Sequence, residues 1–83
     1  MKRGAWSEDL IEAICREIQV RRQELGLSVY ALSQDSGVSQ QAIANYEQGV
    51  RRPALDCLLK VARGLKLEPS ELLARAEAKV RSH

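Results

Sequence analysis

The stretch at residues 27–53, LSVYALSQDSGVSQQAIANYEQGVRRP, restricts the possible folds of this chain more than any other feature. Ser28 and Ser39 each precede a short segment with apolar residues at helical spacing, and a serine hydroxyl is a good N-cap for a helix. Gly37 and Gly49 follow the two segments, where a residue that easily adopts the left-handed conformation ends a helix. The pattern therefore predicts two short helices joined by a tight turn.

The second predicted helix has an outer face that is polar but uncharged. Ile43 and Tyr46 take the inward positions, and helical spacing leaves the opposite side to other residues. Amide side chains can pair bidentately with N6 and N7 of adenine, while a small alanine permits close approach or meets a thymine methyl group. The residues predicted to read base edges are Gln40, Gln41, Ala44 and Asn45.

Groups that suit phosphate oxygens surround this predicted reading helix. Two arginines follow it, and the first turn of a helix offers unpaired N–H groups to an anion. Such contacts fix the register of a protein on DNA without reading the sequence. The residues predicted to contact phosphates are Ser28, Val29, Ser39, Gln48, Arg51 and Arg52.

The same stretch resembles the helix-turn-helix domain of the lambda repressor and Cro group, often called the Xre family. The residues that carry the resemblance are Ser28, Ser33, Gly37, Val38, Ser39, Ile43, Glu47, Gly49, Arg52 and Pro53. The similarity extends over about residues 14–73, although Val29 stands where family members commonly carry Gln, and Ser36 where an apolar residue is usual. It implies an all-α, five-helix, lambda repressor-like domain in which helices 2 and 3 form the helix-turn-helix and helix 3 enters the major groove.

The resemblance also implies two structural contacts. Arg22 falls on the apolar stripe of the first helix, and in the family an arginine at this place pairs with the glutamate that is here Glu47. The last helix of family members often makes the dimer contact, although its apolar strip could also simply cover the core. The dimer contacts implied in this chain are Leu72, Leu73, Ala76 and Val80.

The chain is predicted to consist of an N-terminal arm at residues 1–6 and a DNA-binding domain at residues 7–81. Ser7 is expected to be the N-cap of the first helix, with Trp6 and Ile11 forming a hydrophobic staple across it. The arm is either a frayed terminus or a basic segment that reaches along DNA, since it contains Lys2 and Arg3.

Two more helices are predicted after Pro53, and Pro69 suits the first position of the fifth. The inward positions predicted for the fourth helix are Leu55, Leu58, Leu59, Ala62 and Leu65. Its basic edge is expected to be a solvated face, with DNA contact as the alternative, and consists of Lys60, Arg63 and Lys66.

Composition narrows the function further. A net charge of +2 is too small to identify a nucleic-acid partner by itself. No run approaches the roughly 18 apolar residues of a membrane span, and no signal peptide pattern is present, so we expect a cytoplasmic protein without membrane contact. Cys15 and Cys57 lack metal-ligand spacing and are expected to be small, buried, reduced residues, with a disulfide or redox sensor as the alternative.

Catalysis has no support in the sequence. The only histidine is His83 at the end of the chain, and no phosphate loop or nucleophile with an adjacent base is present, so we expect no catalytic residue, metal, cofactor or small-molecule substrate.

We predict a sequence-specific transcriptional regulator that binds double-stranded DNA as a homodimer on a palindromic operator. A Cro-like repressor, a restriction-modification controller and an antitoxin, the last with a protein partner, all fit. The alternative is a protein-interaction module on the same fold.

Overall fold

The computed structural model describes the backbone of residues 3–82 and the side chains of residues 6–82. Every regular element in this part of the chain is a helix, and the five helices confirm the predicted all-α class. They are α1 (Arg3–Glu24), α2 (Val29–Ser36), α3 (Gln40–Glu47), α4 (Leu55–Gly64) and α5 (Pro69–Arg81). In the described part of the chain, no helix is long and apolar enough to cross a membrane.

The helix-turn-helix forms from local signals between α2 and α3. The Ser28 hydroxyl accepts a hydrogen bond from the Ala31 N–H at 3.0 Å, and the Ser39 hydroxyl accepts one from the Ala42 N–H at 3.1 Å. Gly37 has a φ of 75°, the left-handed conformation that ends α2 and turns the chain toward α3. The predicted caps and turn are therefore confirmed.

An aliphatic core joins the helix-turn-helix to α1 and to the C-terminal helices. The largest fully buried side chains are those of Ile18, Leu32, Ile43, Val61, Leu65 and Leu72. At the crossing of α2 and α4, a Cβ atom on Gly64 would lie 2.9 Å from Cδ1 of Leu32, which is closer than real contacts allow. Because Gly64 has no side chain, α4 can pack closely against α2. This contact holds the helix-turn-helix against the rest of the domain.

The predicted start of the first helix is wrong. The helix begins at Arg3, so Ser7 lies inside α1 and is not its N-cap, and Trp6 cannot precede the cap of a staple. Residues 3–6 contain no proline, and a serine cap contributes only about 1 kcal/mol, which does not force a helix to begin at Ser7. The first two residues of the predicted arm lie outside the described residues, and the division into arm and domain stays a prediction.

The predicted rotation of α4 is also wrong in part. Leu55 is 72% exposed and Leu59 is 42% exposed, whereas both were expected to face inward. Val61 is fully buried in their place, together with Ala62 and Leu65. The charged residues of α4 share one side, and the apolar residues form a broad arc with Leu55 and Leu59 at one edge and Val61 toward the other, so packing decides which edge is buried.

Two of the four implied dimer contacts are core residues. Leu72 is 1% exposed and Ala76 is 0% exposed, because α5 packs through them onto the rest of the domain. They have no surface to offer to a second chain, which corrects their assignment as dimer contacts. Leu73 is exposed and Val80 is half-buried, so these two can still contact a partner.

The two cysteines differ in burial. Cys15 is buried in α1, as expected, while Cys57 is half-buried in α4, and both carry free thiols. Burial raises the pKa of the Cys15 thiol above its ordinary value. Cys15 therefore behaves as a small apolar residue of the core at neutral pH.

Candidate nucleic-acid interface

The outer side of α3 carries the four predicted base-reading residues. Gln40 and Gln41 are exposed, and Ala44 and Asn45 are half-buried along the same side. The opposite side anchors the helix, because the side chains of Ile43 and Tyr46 are buried in the core. Burial raises the pKa of the Tyr46 hydroxyl to about 12, as the packing of this phenol in the core leads one to expect. The short helix α3 therefore has one apolar side packed in the core and one polar side directed away from the core.

A hydrogen bond orders part of this polar side. Nε2 of Gln41 donates to Oδ1 of Asn45 at 3.1 Å, as residues four positions apart on a helix can do. The bond leaves Oε1 of Gln41 free to accept and Nδ2 of Asn45 free to donate. Adenine presents the complementary pair in the major groove, with a donor at N6 and an acceptor at N7.

The predicted phosphate contacts lie around the ends of α2 and α3. Ser28, Ser39 and Gln48 are exposed, and the two serine hydroxyls accept capping hydrogen bonds while keeping their own O–H groups for donation. Val29 is half-buried, and its backbone N–H belongs to the first turn of α2. The first turns of both helices therefore present donors to an approaching anion.

The loop after α3 is tied to the reading helix by backbone hydrogen bonds. The carbonyl oxygen of Asn45 accepts from the N–H groups of Val50 at 2.9 Å and Arg51 at 3.3 Å. Arg51 is exposed and forms no ion pair with any residue of the described chain, whereas Arg52 pairs with Glu8 of α1. The two arginines are thus held at the same end of α3 but differ in their partners.

A bidentate ion pair anchors the end of α3 to α1. Arg22 donates from Nε to Oε2 of Glu47 at 2.8 Å and from Nη2 to Oε1 at 2.9 Å. Its third donor, Nη1, bonds the carbonyl oxygen of Leu27 at 2.8 Å. The side chains of Arg22 and Glu47 are only 13% and 6% exposed, and the hydrogen bond to Glu47 raises the pKa of the guanidinium. One arginine therefore joins α1, the segment before α2 and the end of α3.

A second charged cluster was missed by the sequence analysis. Arg75 of α5 donates from Nε to Glu17 at 3.0 Å and from Nη2 to Glu24 at 2.9 Å. Arg21 lies beside it and donates from Nε to the carbonyl oxygen of Leu65 at 3.0 Å. A signal was present, because Glu17 falls on the buried stripe of α1, three residues after Ile14, and a buried carboxylate needs a cationic partner.

Three exposed leucines lie on the two C-terminal helices, which contact each other. They are Leu55 and Leu59 on α4 and Leu73 on α5, and we refer to these three residues together as the leucine surface. Most of the apolar side chains of a domain this small are needed for its core. The three leucines are therefore large apolar residues of α4 and α5 that the core does not bury.

A sequence model of the helix-turn-helix family matches residues 18–72, which is more than half of the chain. This chain belongs to that family. The matched region begins within α1 and ends within α5, so it includes the whole helix-turn-helix, the loop with its two arginines and α4.

Curated members of the family agree with this assignment. An uncharacterized HTH-type transcriptional regulator of Mycobacterium tuberculosis is 32% identical over 59 residues, which is 71% of this chain and 42% of the relative. An uncharacterized HTH-type transcriptional regulator of Haemophilus influenzae is 43% identical over 49 residues, 59% of this chain and 50% of the relative. The chain thus spans about half the length of the curated relatives that it matches.

Two solved structures share the fold. The restriction-modification controller protein C.AhdI from Aeromonas hydrophila superimposes with a TM-score of 0.70 and 32% identity, covering 78% of this chain and 97% of its own. A mutant of the restriction-modification controller protein C.Esp1396I superimposes with a TM-score of 0.84 and 20% identity, covering 89% of this chain and 96% of its own. At 20% identity the second likeness concerns the fold alone.

Proposed function

We propose that this chain is a transcriptional regulator that binds DNA by placing α3 in the major groove. The observation that carries the proposal is the exposed amide side of α3, whose opposite side is anchored in the core by Ile43 and Tyr46. Uncharged amide side chains are seldom buried in a hydrophobic core, and they can form hydrogen bonds with base edges. The curated relatives are named as transcriptional regulators, which supports the same function.

The base-reading side divides into a paired and an unpaired part. Gln41 and Asn45 are held together, and the free acceptor of one and the free donor of the other match a single adenine. Gln40 has no such bond and can adopt the rotamer that its own base pair requires. Ala44 is small enough for α3 to approach the floor of the groove or to contact a thymine methyl group.

Phosphate contacts position this side in the groove. The first turns of α2 and α3 supply backbone donors near Ser28, Val29 and Ser39, while Gln48, Arg51 and Arg52 supply side chains at the far end of α3. Donors at both ends of a two-turn helix define its orientation between the strands. The charge of the two arginines also makes binding depend on salt.

The regulator acts as a homodimer on a palindromic operator. One helix-turn-helix reads only a few base pairs, so two copies with reading helices about 34 Å apart are needed for useful discrimination. Because Leu72 and Ala76 are core residues, the proposed dimer contact uses the leucine surface, and the half-buried Val80 on α5 remains a candidate contact. This surface lies on α4 and α5, which leaves the outer side of α3 free for DNA.

Among the three kinds of regulator that fit, a restriction-modification controller is favoured. C.AhdI is 32% identical, and the likeness covers 97% of that controller, so the two proteins share nearly the whole of its fold. A Cro-like repressor and an antitoxin remain alternatives with the same interface. A protein-interaction module on this fold is the candidate of another class, and an exposed amide face flanked by two arginines does not favour it.

Selection of bound sequences from a pool of random duplexes tests the proposal. Enrichment of a two-fold symmetric site with adenines in each half is the expected result. Asn45→Ala serves as the matched variant, because it should relax the preference for one adenine in each half-site while leaving the rest of the site unchanged. Failure of the wild-type protein to enrich any sequence would favour the interaction module.

Sedimentation of the free protein tests the dimer. Leu59→Glu should shift the protein toward monomer, because it places a charge within the leucine surface. Val20→Glu is the control, since Val20 is also an exposed apolar residue but lies on α1. A wild-type protein that stays monomeric, both free and on the selected site, contradicts the proposed dimer.

A further inference from the structure

Glu8 of α1 holds one of the two arginines that the proposed interface would present to DNA. Its carboxylate pairs with Nη2 of Arg52, and the two residues are 44 positions apart in the chain. Both side chains remain about 60% exposed, so the pair is in contact with solvent and can open. Arg51, the neighbouring arginine, has no such partner in the described chain.

The pair stands at the edge of a cleft between α1 and the loop after α3. The cleft has a volume of about 340 Å³, and its α1 wall carries Glu8 and Glu12, opposite Gln48, Arg51 and Arg52. The charge of Arg52 also acts on Cys15, which lines the cleft and whose pKa it lowers against the larger effect of burial. Arg52 therefore extends along the edge of the cleft toward α1, while most of its side chain remains in contact with solvent.

We infer that Glu8 is an affinity-limiting residue, which competes with DNA phosphate for Arg52. The inference rests on the proposed function, because it requires Arg52 to contact phosphate in the complex. A phosphate oxygen and the Glu8 carboxylate accept hydrogen bonds from the same guanidinium. The free energy of the phosphate contact is therefore reduced by the free energy needed to break the Glu8–Arg52 pair. Glu8 also carries a negative charge that repels the DNA backbone near the same loop.

The two effects of Glu8 differ in their dependence on Arg52. Competition disappears when Arg52 is removed, whereas repulsion between the carboxylate and DNA persists. Glu12 separates them, because it lies in the same cleft, one helical turn along α1, and forms no ion pair among the described residues. Glu8→Gln and Glu12→Gln change the net charge equally, but only the first releases Arg52.

The experiment measures affinity for two DNA duplexes, one of random sequence and one with the selected site. The proteins compared are the wild type, the single variants Glu8→Gln, Glu12→Gln and Arg52→Gln, and the two double variants that combine Arg52→Gln with Glu8→Gln or with Glu12→Gln. Exposed ion pairs are weak, so Glu8→Gln should tighten binding by about two- to fivefold at low salt. In the Arg52→Gln background the gain from Glu8→Gln should fall to the size of the gain from Glu12→Gln, because only the repulsion remains. Glu12→Gln should give a smaller gain that is the same in both backgrounds. Thermal unfolding verifies that each variant is folded.

Three results would overturn the inference without touching the proposed function. An equal gain from Glu8→Gln with and without Arg52 would show repulsion alone. Weaker binding by Glu8→Gln would show that Glu8 positions Arg52 for the phosphate. Wild-type affinity of Arg52→Gln on every duplex would remove Arg52 from the interface, while the base preferences of α3 would still stand. Absence of any DNA binding by the wild-type protein would instead refute the proposed function, and this inference with it.

Discussion

Two of the ion-pair clusters that join α1 to the rest of the domain differ in what they hold. Arg22 and Glu47 are both nearly buried, pair through two hydrogen bonds and fix the end of the reading helix α3. Arg75 is 30% exposed and bridges two carboxylates of α1, of which Glu17 is 3% and Glu24 is 46% exposed. The first cluster places the proposed DNA contacts, whereas the second fastens α5. The same chemistry thus fastens the proposed reading helix in one place and the C-terminal helix in the other.

The largest expected effect comes from breaking the buried cluster. Arg22→Met leaves the Glu47 carboxylate buried without a partner and should lower the free energy of unfolding by about 3–5 kcal/mol. Urea denaturation measures the loss. The double variant Arg22→Met with Glu47→Leu should recover much of it, because apolar residues can replace a buried pair. A loss below about 1 kcal/mol for the single variant would mean that the pair behaves as an exposed one.

The α5 cluster should be weaker because water reaches one side of it. Arg75→Met strands the buried Glu17 but leaves Glu24 solvated, so we expect a loss of about 2–3 kcal/mol by the same measurement. Arg81→Met is the matched control, since Arg81 is an exposed arginine of α5 whose contact with Glu77 is 3.9 Å long. Equal losses for the two arginines would remove the distinction between buried and exposed carboxylates in this helix.

Substitutions in the two clusters should also have different effects on DNA binding. At a temperature where both variants are folded, Arg22→Met should lose part of the roughly 1–3 kcal/mol of discrimination at each base pair read by α3. Arg75→Met should keep the wild-type base preference. Affinities for the selected site and for single-base variants of it provide the measurement. Relaxed preference in Arg75→Met would contradict a purely stabilising role of that cluster.

The smallest effect concerns pH and the exposed end of the α5 cluster. The hydrogen bond from Arg75 holds the pKa of Glu24 below its ordinary value of 4.5. A lowered pKa in the folded state stabilises the protein above the pKa of the unfolded chain, and this contribution disappears as pH falls through the folded value. Wild-type protein should therefore exceed Glu24→Gln in Tm at neutral pH, and the difference should shrink as pH falls below 4.5. A difference that does not change with pH would refute this role of the carboxylate.

Local chemistry determined the central part of the molecule. The caps at Ser28 and Ser39 and the left-handed turn at Gly37 involve groups within three or four residues of one another, so their sequence order is nearly their spatial order. The exposed side of α3 followed from the same short-range spacing, because Ile43 and Tyr46 leave only one orientation for the helix. The pairing of Arg22 with Glu47 came from the family resemblance, since residues 25 positions apart have no local signal.

Only the tertiary structure decided how α4 and α5 are rotated and which charges meet. The apolar residues of α4 form a broad arc, and contact with α2 at Gly64 buried Val61 toward one edge of it and left Leu55 and Leu59 exposed at the other. Glu17 meets Arg75 across 58 positions, because two helices far apart in sequence pack side by side. Spacing along a helix specifies which residues share a side, but the direction of that side depends on the neighbours against which the helix packs.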